Sequence, residues 1–479
     1  MNQAIRNTWI AVVMLFVLCL GALSYVQFFA AETLNNNALN KRQLFREFDL
    51  PRGAILVDGK PIAESKPSEG QFKFQRVYTD PELYAFLTGF YSLTNGSTQL
   101  ESVMNDELTG QSQDQFFDRM INLFSGRANE GASVELTIDG KLQKLVYDLI
   151  PDNTRGSIIV SEPKTGNILA MASKPSFDTN LLAVHSSKQA TENMKKIIDE
   201  NPKLSPSRNP ALYNLMSPGS TFKILDLVAG LESGKYNADT MLENPDKITD
   251  PVKMSNFVDG ICASKPEASL AFIVAQSCNT PFALMSKELG REPFENVAER
   301  FGFGQQLNIP LRVQPSVFPQ NMTPAELAQV SIGGFDALAT AMQMNMVAMG
   351  IANDGVIMEP NLVKRVIAPD LKVLSEATPK KFSTATSKEI ADQITDLMRG
   401  PVKTGTAKRA AVPGLDIAAK TGTATFTGIS EVNSWITGFA PANDPQVAVT
   451  IVFERIDYPT GSSLTSPNMK KILEAVFNQ

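Results

Sequence analysis

Histidine is almost missing from this sequence: His185 stands alone among 479 residues. That scarcity removes two kinds of chemistry. A zinc site would have to be built from one imidazole and scattered thiols, so no metal or cofactor is expected. A Ser-His-Asp relay would have to run through His185, which lies in the polar stretch AVHSSKQATENMKK with no nucleophile elbow beside it. His185 is therefore expected at the surface, and any reactive serine needs a different base. Cysteine is scarce too. Cys19 falls within an apolar run, while Cys262 and Cys278 could close a disulfide outside the cytoplasm; the plainer expectation, adopted here, is two free, partly buried thiols. Long Lys/Arg runs are absent and the net charge is -6, which argues against a phosphate-rich partner, because nucleic acid needs clustered cations.

What is present is enough apolar material for a large core, 43% of residues, in a chain long enough for two or three domains. Residues 9–31, WIAVVMLFVLCLGALSYVQFFAA, carry no charge over the length of a bilayer-spanning helix, about 20 residues. The run is too long for the apolar region of a cleavable signal, so it reads as a retained anchor with Trp9 and Tyr25 at the interfaces. Arg6 precedes it, but Lys41, Arg42 and Arg46 follow, so the positive-inside count leaves the orientation open. The expected division is a cytoplasmic tail over 1–8, a transmembrane anchor over 9–31, a pedestal domain without chemistry over 32–131, and a second domain over 132–479.

Within the pedestal, an early helical stretch, a hairpin turning at Asp58-Gly59 and an amphipathic DQFFDRMINLFSG are expected, and the aromatic YTDPELYAFLTGFYS reads as core. After Gly131, ASVELTIDGKLQKLVYDLI reads as strand then helix, and GSIIVSEPKTGNILAMAS as a hairpin turning at residues 163–166. Helices follow to about Gly400; one, TSKEIADQITDLMRG, has Thr386 and Glu389 at capping-box spacing. Strands return in GLDIAAKTGTATF, NSWITGFAPA and QVAVTIVFE, before a last helix, SPNMKKILEAVF. Strands at both ends with helices between imply one sheet made from the two termini and covered by helices on its faces.

The chemistry gathers in three places. In MSPGSTFKILDLVAGLESG, Pro218-Gly219 turns the chain and Ser220 opens a helix, which puts Lys223 three residues on, on the same face. Packed in a cleft, Lys223 would have its neutral form favoured and could accept the Ser220 proton, while the helix N-terminus favours negative charge on the hydroxyl. AQSCNTPFALMSKELG places Ser277 and Asn279 in a turn between two helices, with simple capping by Asn279 or Thr280 as the bland alternative. A Lys-Thr-Gly-Thr tetrad occurs twice, at Lys403 and at Lys420. The first follows a helix expected to end at Gly400-Pro401 and precedes Pro413-Gly414, so it reads as a coincidence in a loop. The second lies in a strand, so Lys420, Thr421, Gly422 and Thr423 are the expected site residues.

Ser-x-x-Lys, Ser-x-Asn and Lys-Thr-Gly in this order resemble the motif set of penicillin-binding proteins and serine β-lactamases. VELTIDGKLQK, GSIIVSEPKTGNILAMASKPSFDTN, SPGSTFKI, SCNT, DIAAKTGTA and WITGFAP extend the likeness over nearly the whole chain. They resemble class B penicillin-binding proteins, most of all the actinobacterial penicillin-binding protein A group, to which PRGAIL and RVYTDPELYAFLTGFYS are also similar. The resemblance implies an α/β transpeptidase fold, an antiparallel sheet covered by helices on both faces, beside the pedestal and anchor. It also implies a peptidoglycan D,D-transpeptidase that acts in wall synthesis during division or elongation and is a target of β-lactams.

By the same resemblance Ser220 would attack the penultimate D-alanine of a stem peptide with Lys223 as base, and Ser277 would pass a proton to the leaving amine. Asn279 would anchor the substrate amide and Lys223. Lys420, Thr421 and Thr423 would hold the terminal carboxylate, and the backbone N–H groups of Ser220 and Thr423 would form the oxyanion hole. The partners implied are D-Ala-D-Ala stem peptides, β-lactams, the lipid bilayer and a membrane glycan polymerase, since the residues before the second domain show no glycosyltransferase pattern. The second domain would stand outside the cytoplasm. Two features depart from relatives: no histidine precedes Trp435, and Thr425 replaces a common acidic residue. A β-lactamase, a D,D-carboxypeptidase and a membrane-bound β-lactam sensor or scaffold are the rival readings.

Overall fold

The computed structural model describes residues 3–30, 45, 47–115, 130–257, 261–426 and 428–477. The apolar run forms helix α1 (Gln3–Ser24), which continues as a wider turn over Tyr25–Phe29. The stretch Gln3–Gln27 has mean hydropathy 2.4 and no buried residues, and it is long and apolar enough to cross a membrane. Ala31, Lys41, Arg42, Arg46, the early helical stretch and most of DQFFDRMINLFSG lie outside the described residues.

Strands β1 (Ile55–Val57), β2 (Lys60–Pro67) and β3 (Phe74–Tyr78) come next. Asp58 and Gly59 both have positive φ, 50° and 71°, which is what a tight hairpin turn demands, and β1 and β2 pair across it as expected. Tyr84, Phe86, Phe90 and Tyr91 of the aromatic stretch are buried. Then follow β4 (Ser133–Leu136), α2 (Gly140–Asp148) with Asp139 capping its N-terminus, β5 (Arg155–Ser161) and β6 (Ile168–Lys174). The helical middle of the chain contains α3 (Lys223–Glu232), α4 (Leu270–Gln276), α5 (Thr280–Leu289), α6 (Arg291–Arg300) and α7 (Ala341–Ala352). Strands β7 (Val363–Ile367) and β8 (Val373–Glu376) precede α8 (Lys388–Lys403), and the chain closes with β9 (Ala418–Thr425), β10 (Glu431–Ala440), β11 (Val447–Asp457) and α9 (Tyr458–Phe477).

The strands make two large sheets. One has the order β9-β10-β11-β5-β6, antiparallel throughout, so the last three strands flank the early hairpin. Alternate residues serve opposite faces: Trp435 and Val452 join the core that includes α7, while Ile436 and Ile451 join the core beneath α2 and α9. Every residue of α7 is buried. A strand covered on both faces reads as a continuous apolar run, as in VAVTIVF. The fold is therefore the expected antiparallel sheet with helices on both faces. The other sheet has the order β8-β7-β4-β1-β2-β3, with β1 and β4 parallel, and draws strands from both sides of residue 131.

Three local expectations need correction. Helix α8 is capped by Ser387, whose side chain accepts from Ile390 N–H, while the Thr386 hydroxyl donates to Glu232 instead. The same helix does not stop at Gly400-Pro401: Pro401 sits in its last turn and the helix ends at Lys403. His185 is half-buried rather than at the surface, with Nε2 3.0 Å from the Phe74 carbonyl and its ring edge-on to Phe48 and Phe72. It packs against the β3 region and takes no part in the cleft.

Candidate active site

The segment before α3 arrives under tight steric control. Gly219 has φ of 53°, and a Cβ built there would lie 2.6 Å from the Thr423 carbonyl carbon. A Cβ on Gly422 would lie 2.6 Å from the Pro218 carbonyl oxygen. Backbone therefore meets backbone where the two motifs cross, and only glycine permits it. Ser220 lies in a 3-10 turn, Gly219–Thr221, and the α-helix proper opens at Lys223, so Ser220 precedes the helix rather than starting it. The i, i+3 relation is kept, because a 3-10 turn also brings residues three apart onto one side.

Lys223 is fully buried, and its Nζ donates to the Ser277 carbonyl at 2.9 Å, the Cys278 carbonyl at 2.9 Å and Asn279 Oδ1 at 2.8 Å. Three acceptors are the complement of an ammonium. Burial, and then the nearby Lys420 charge, push Lys223 well below the ordinary lysine range, with Asp226 acting the other way. A neutral amine has only two N–H bonds and a lone pair, so acting as a base requires one of the three contacts to be released.

Ser277 caps the end of α4 in the left-handed region, φ 60° and ψ 36°, which turns its hydroxyl towards the sheet. Lys420, fully buried on β9, donates from Nζ to Ser277 Oγ at 2.6 Å and to the Thr421 carbonyl at 3.0 Å. Burial brings Lys420 down to about 7. Asn279 does not cap α5 with its side chain. Its Oδ1 is taken by Lys223, and its N–H donates to Asn256 Oδ1 at 2.6 Å. The bland capping alternative is thus excluded for Asn279, and Thr280 is likewise occupied, donating to the Pro245 carbonyl.

Cys262 and Cys278 form a disulfide, contrary to the expectation of free thiols; their Cα atoms stand 5.8 Å apart, within bridging range. Sequence spacing alone could not supply that distance. The bridge ties the residue between Ser277 and Asn279 to the far wall of the cleft.

The cleft itself is a cavity of about 170 Å³ reached by Ser220, Ser277, Asn279, Thr421, Gly422 and Thr423. All eight expected site residues therefore come together, the two lysines beneath the floor and the others facing the space. Reading the sequence missed Thr406. It belongs to the first tetrad, yet its hydroxyl shares a 2.6 Å hydrogen bond with that of Thr421 and it lines the cleft, while Lys403 of the same tetrad is exposed. The repeated tetrad was the available signal. Trp435 is fully buried and donates from Nε1 to the Ser217 carbonyl at 3.1 Å, fixing the loop that carries Ser220. Thr425 also lines the cavity.

A serine without a histidine, two buried lysines and a strand-edge threonine pair, set between a helical layer and an antiparallel sheet, define a serine acyl-transfer site of the penicillin-recognising class. Residues 156–474 match the penicillin binding protein transpeptidase domain and residues 52–134 the penicillin binding protein A dimerisation domain. The chain belongs to the penicillin-binding protein transpeptidase family. It is 35% identical to the peptidoglycan D,D-transpeptidase PbpA of Mycolicibacterium smegmatis over the whole of both chains. It is 34% identical to PbpA of Mycobacterium tuberculosis over all of this chain and 99% of that one. Among solved structures, the imipenem acyl-enzyme complex of penicillin-binding protein A from M. tuberculosis is similar with a TM-score of 0.85 at 33% identity, covering 90% of this chain and 99% of that one.

Proposed function

We propose that the chain is a peptidoglycan D,D-transpeptidase that works through an acyl-enzyme on Ser220 and is inactivated by β-lactams. The observation that carries this reading is the junction at Lys223 and Lys420, where the three motifs are joined by hydrogen bonds through the Ser277 turn. Family membership and the full-length likeness to curated D,D-transpeptidases support it.

In this reading the neutral Lys223 amine takes the Ser220 proton as Oγ attacks the carbonyl carbon of the penultimate D-alanine. The carbonyl π electrons move to oxygen and are held by the Ser220 and Thr423 N–H groups, a contribution of about 3 kcal/mol per donor. Collapse breaks the C–N bond, and the proton reaches the departing D-alanine amine through Ser277. Lys420, Thr421 and Thr423 bind the terminal carboxylate, and Asn279 holds the substrate amide as well as Lys223. The amine of a neighbouring stem peptide then attacks the ester carbonyl, losing a proton to the same Lys223–Ser277 relay, and restores Ser220. A β-lactam follows the first half and stops, because its leaving nitrogen stays attached.

In this reading residues 132–479 stand on the extracytoplasmic side, where the Cys262–Cys278 disulfide is chemically at home. Residues 32–131 act as a pedestal and docking domain, and a separate membrane glycan polymerase supplies the strands. Mass spectrometry after incubation with penicillin should find a stable adduct on Ser220 and none on Ser220→Ala. Adding a D-Ala-D-Ala peptide with an amine acceptor should give crosslinked product; hydrolysis alone would make the enzyme a carboxypeptidase, and adduct turnover within seconds a β-lactamase.

A further inference from the structure

Helix α5 opens on Thr280 and Pro281, and its start needs acceptors from outside: proline brings no N–H, while those of Asn279 and Thr280 are buried. Asn279 stands where a capping side chain is expected. Its backbone is nevertheless helical, φ -92° and ψ -45°, and its side chain makes no capping bond. The acceptor comes from 23 residues earlier in the chain. Asn256 Oδ1 takes the Asn279 N–H at 2.6 Å and the Thr280 N–H at 3.3 Å, and among the described residues no other side-chain oxygen takes either.

Asn256 is itself held in place. It is buried, its N–H donates to the Asp246 carbonyl at 3.2 Å, and its Nδ2 donates to the Pro245 carbonyl at 3.3 Å, which turns Oδ1 towards α5. It follows directly on a short antiparallel ribbon in which Lys247–Ile248 pairs with Met254–Ser255. The same segment reaches the turn twice more: the Pro245 carbonyl accepts from the Thr280 hydroxyl at 2.6 Å, and the Ser255 carbonyl accepts from Asn279 Nδ2 at 3.3 Å. With both backbone N–H groups satisfied by Asn256, Asn279 Oδ1 is left to Lys223, 2.8 Å from its amine.

We propose that Asn256 is a positioning residue for the Ser220 reaction: it caps α5 in place of Asn279 and so keeps the Asn279 amide on Lys223. One amide oxygen cannot serve both the helix start and the buried amine. Without Asn256, two buried N–H groups lose their acceptor, and the Asn279 side chain, a preferred capping group, is drawn from Lys223 towards them. Asn256 touches neither Lys223 nor the substrate in this scheme; it acts through Asn279.

The proposal rests on Asn279 acting in acylation, and the two are separable by experiment. The rate of adduct formation with a chromogenic β-lactam and the Tm are measured for the full chain, for Asn256→Ala, Asn279→Ala and the two combined, and for Asn256→Asp. Asn256→Ala should slow acylation by about tenfold to a hundredfold, the effect of misplacing a group at the reacting atoms. In the Asn279→Ala background the same change should slow it by less than about threefold, because the amide it positions is already gone. Tm should fall by a few degrees in both backgrounds, since the two N–H groups remain in both. Asn256→Asp keeps an accepting oxygen at the helix start and should acylate within about threefold of the unsubstituted chain. An equal loss of acylation in both backgrounds, the mark of a purely structural residue, overturns the proposal, and so does an unchanged rate in Asn256→Ala. If Asn256→Ala does not fold, Asn256→Asp decides: a rate as low as that of Asn279→Ala overturns the proposal. Undiminished acylation by Asn279→Ala would instead remove Asn279 from the underlying reading, and Asn256 with it.

Discussion

Lys420 and Lys403 head identical tetrads, and their surroundings make them different groups. Lys420 is enclosed, with Ser277 Oγ 2.6 Å from its amine, while Lys403 ends a helix in solvent. Lys420→Ala should abolish acylation by penicillin, and Lys403→Ala should leave the rate within about twofold, both read by adduct formation. Thr406→Val, which deletes the hydroxyl shared with Thr421, should weaken binding by about 1 kcal/mol, the net worth of one hydrogen bond. The buried Lys420 also carries a pH signature. Its folded value of about 7 lies below the ordinary 10.5, so between those values the unfolded chain binds the extra proton. Folding stability from this group therefore rises with pH across that window and is lost as pH falls through about 7. A carboxylate ligand wants the charged form. Non-covalent affinity for a penicillin should accordingly fall by about tenfold per pH unit above 7, while its methyl ester shows no such slope; equal slopes would remove Lys420 from carboxylate binding.

At the scale of elements, the crossing of β9 with the turn before α3 sets the site. Gly219 and Gly422 allow the two backbones to touch, and a methyl group on either would have to push apart the elements carrying Ser220 and Thr423. Gly422→Ala is expected to cost about 1–3 kcal/mol of stability and to slow acylation by at least a hundredfold, since a shift of about 1 Å at the reacting groups has that effect. Gly414→Ala, in open space beyond the cleft, is the control: its positive φ costs stability, but acylation should persist. The turn between α4 and α5 is the second controlling element. It carries Ser277 and Asn279, and the Cys262–Cys278 bridge tethers it. Replacing both cysteines by serine should lower stability by about 3 kcal/mol, the entropy of a loop of this size, and make acylation more temperature-sensitive.

For the whole molecule, the six-stranded sheet joins regions that sequence divides. Strand β4 follows residue 131, yet it is held by β1 on one side and β7 on the other. Removing residues 1–30 should leave acylation unchanged in detergent-free solution, because no described residue of the anchor up to Ser24 is buried against the rest. Removing residues 1–131 would strip β4 of a partner and expose its edge, and the product should aggregate or unfold at lower temperature. Normal thermal stability of that fragment would show that residues 132–479 fold without the pedestal.

Much of this protein could be read without coordinates, and the reason is physical. The hairpin at Asp58-Gly59, the strands from β9 to β11 and the helix after Ser220 each follow from local periodicity and turn chemistry, which need no distant partner. The three motifs, in order, pointed to the family, and the eight residues they named lie together in the fold. Tertiary packing decided the rest. The start of α8 at Ser387 rather than Thr386 depended on Glu232, far away in sequence, claiming the Thr386 hydroxyl. Whether Cys262 and Cys278 joined depended on a Cα separation that spacing does not encode. Thr406 entered the cleft because the end of α8 passes beside β9. Sequence determined which groups this protein possesses and which local shapes they prefer; only the packing of distant segments determined which of them meet, and how far burial alters their affinity for a proton.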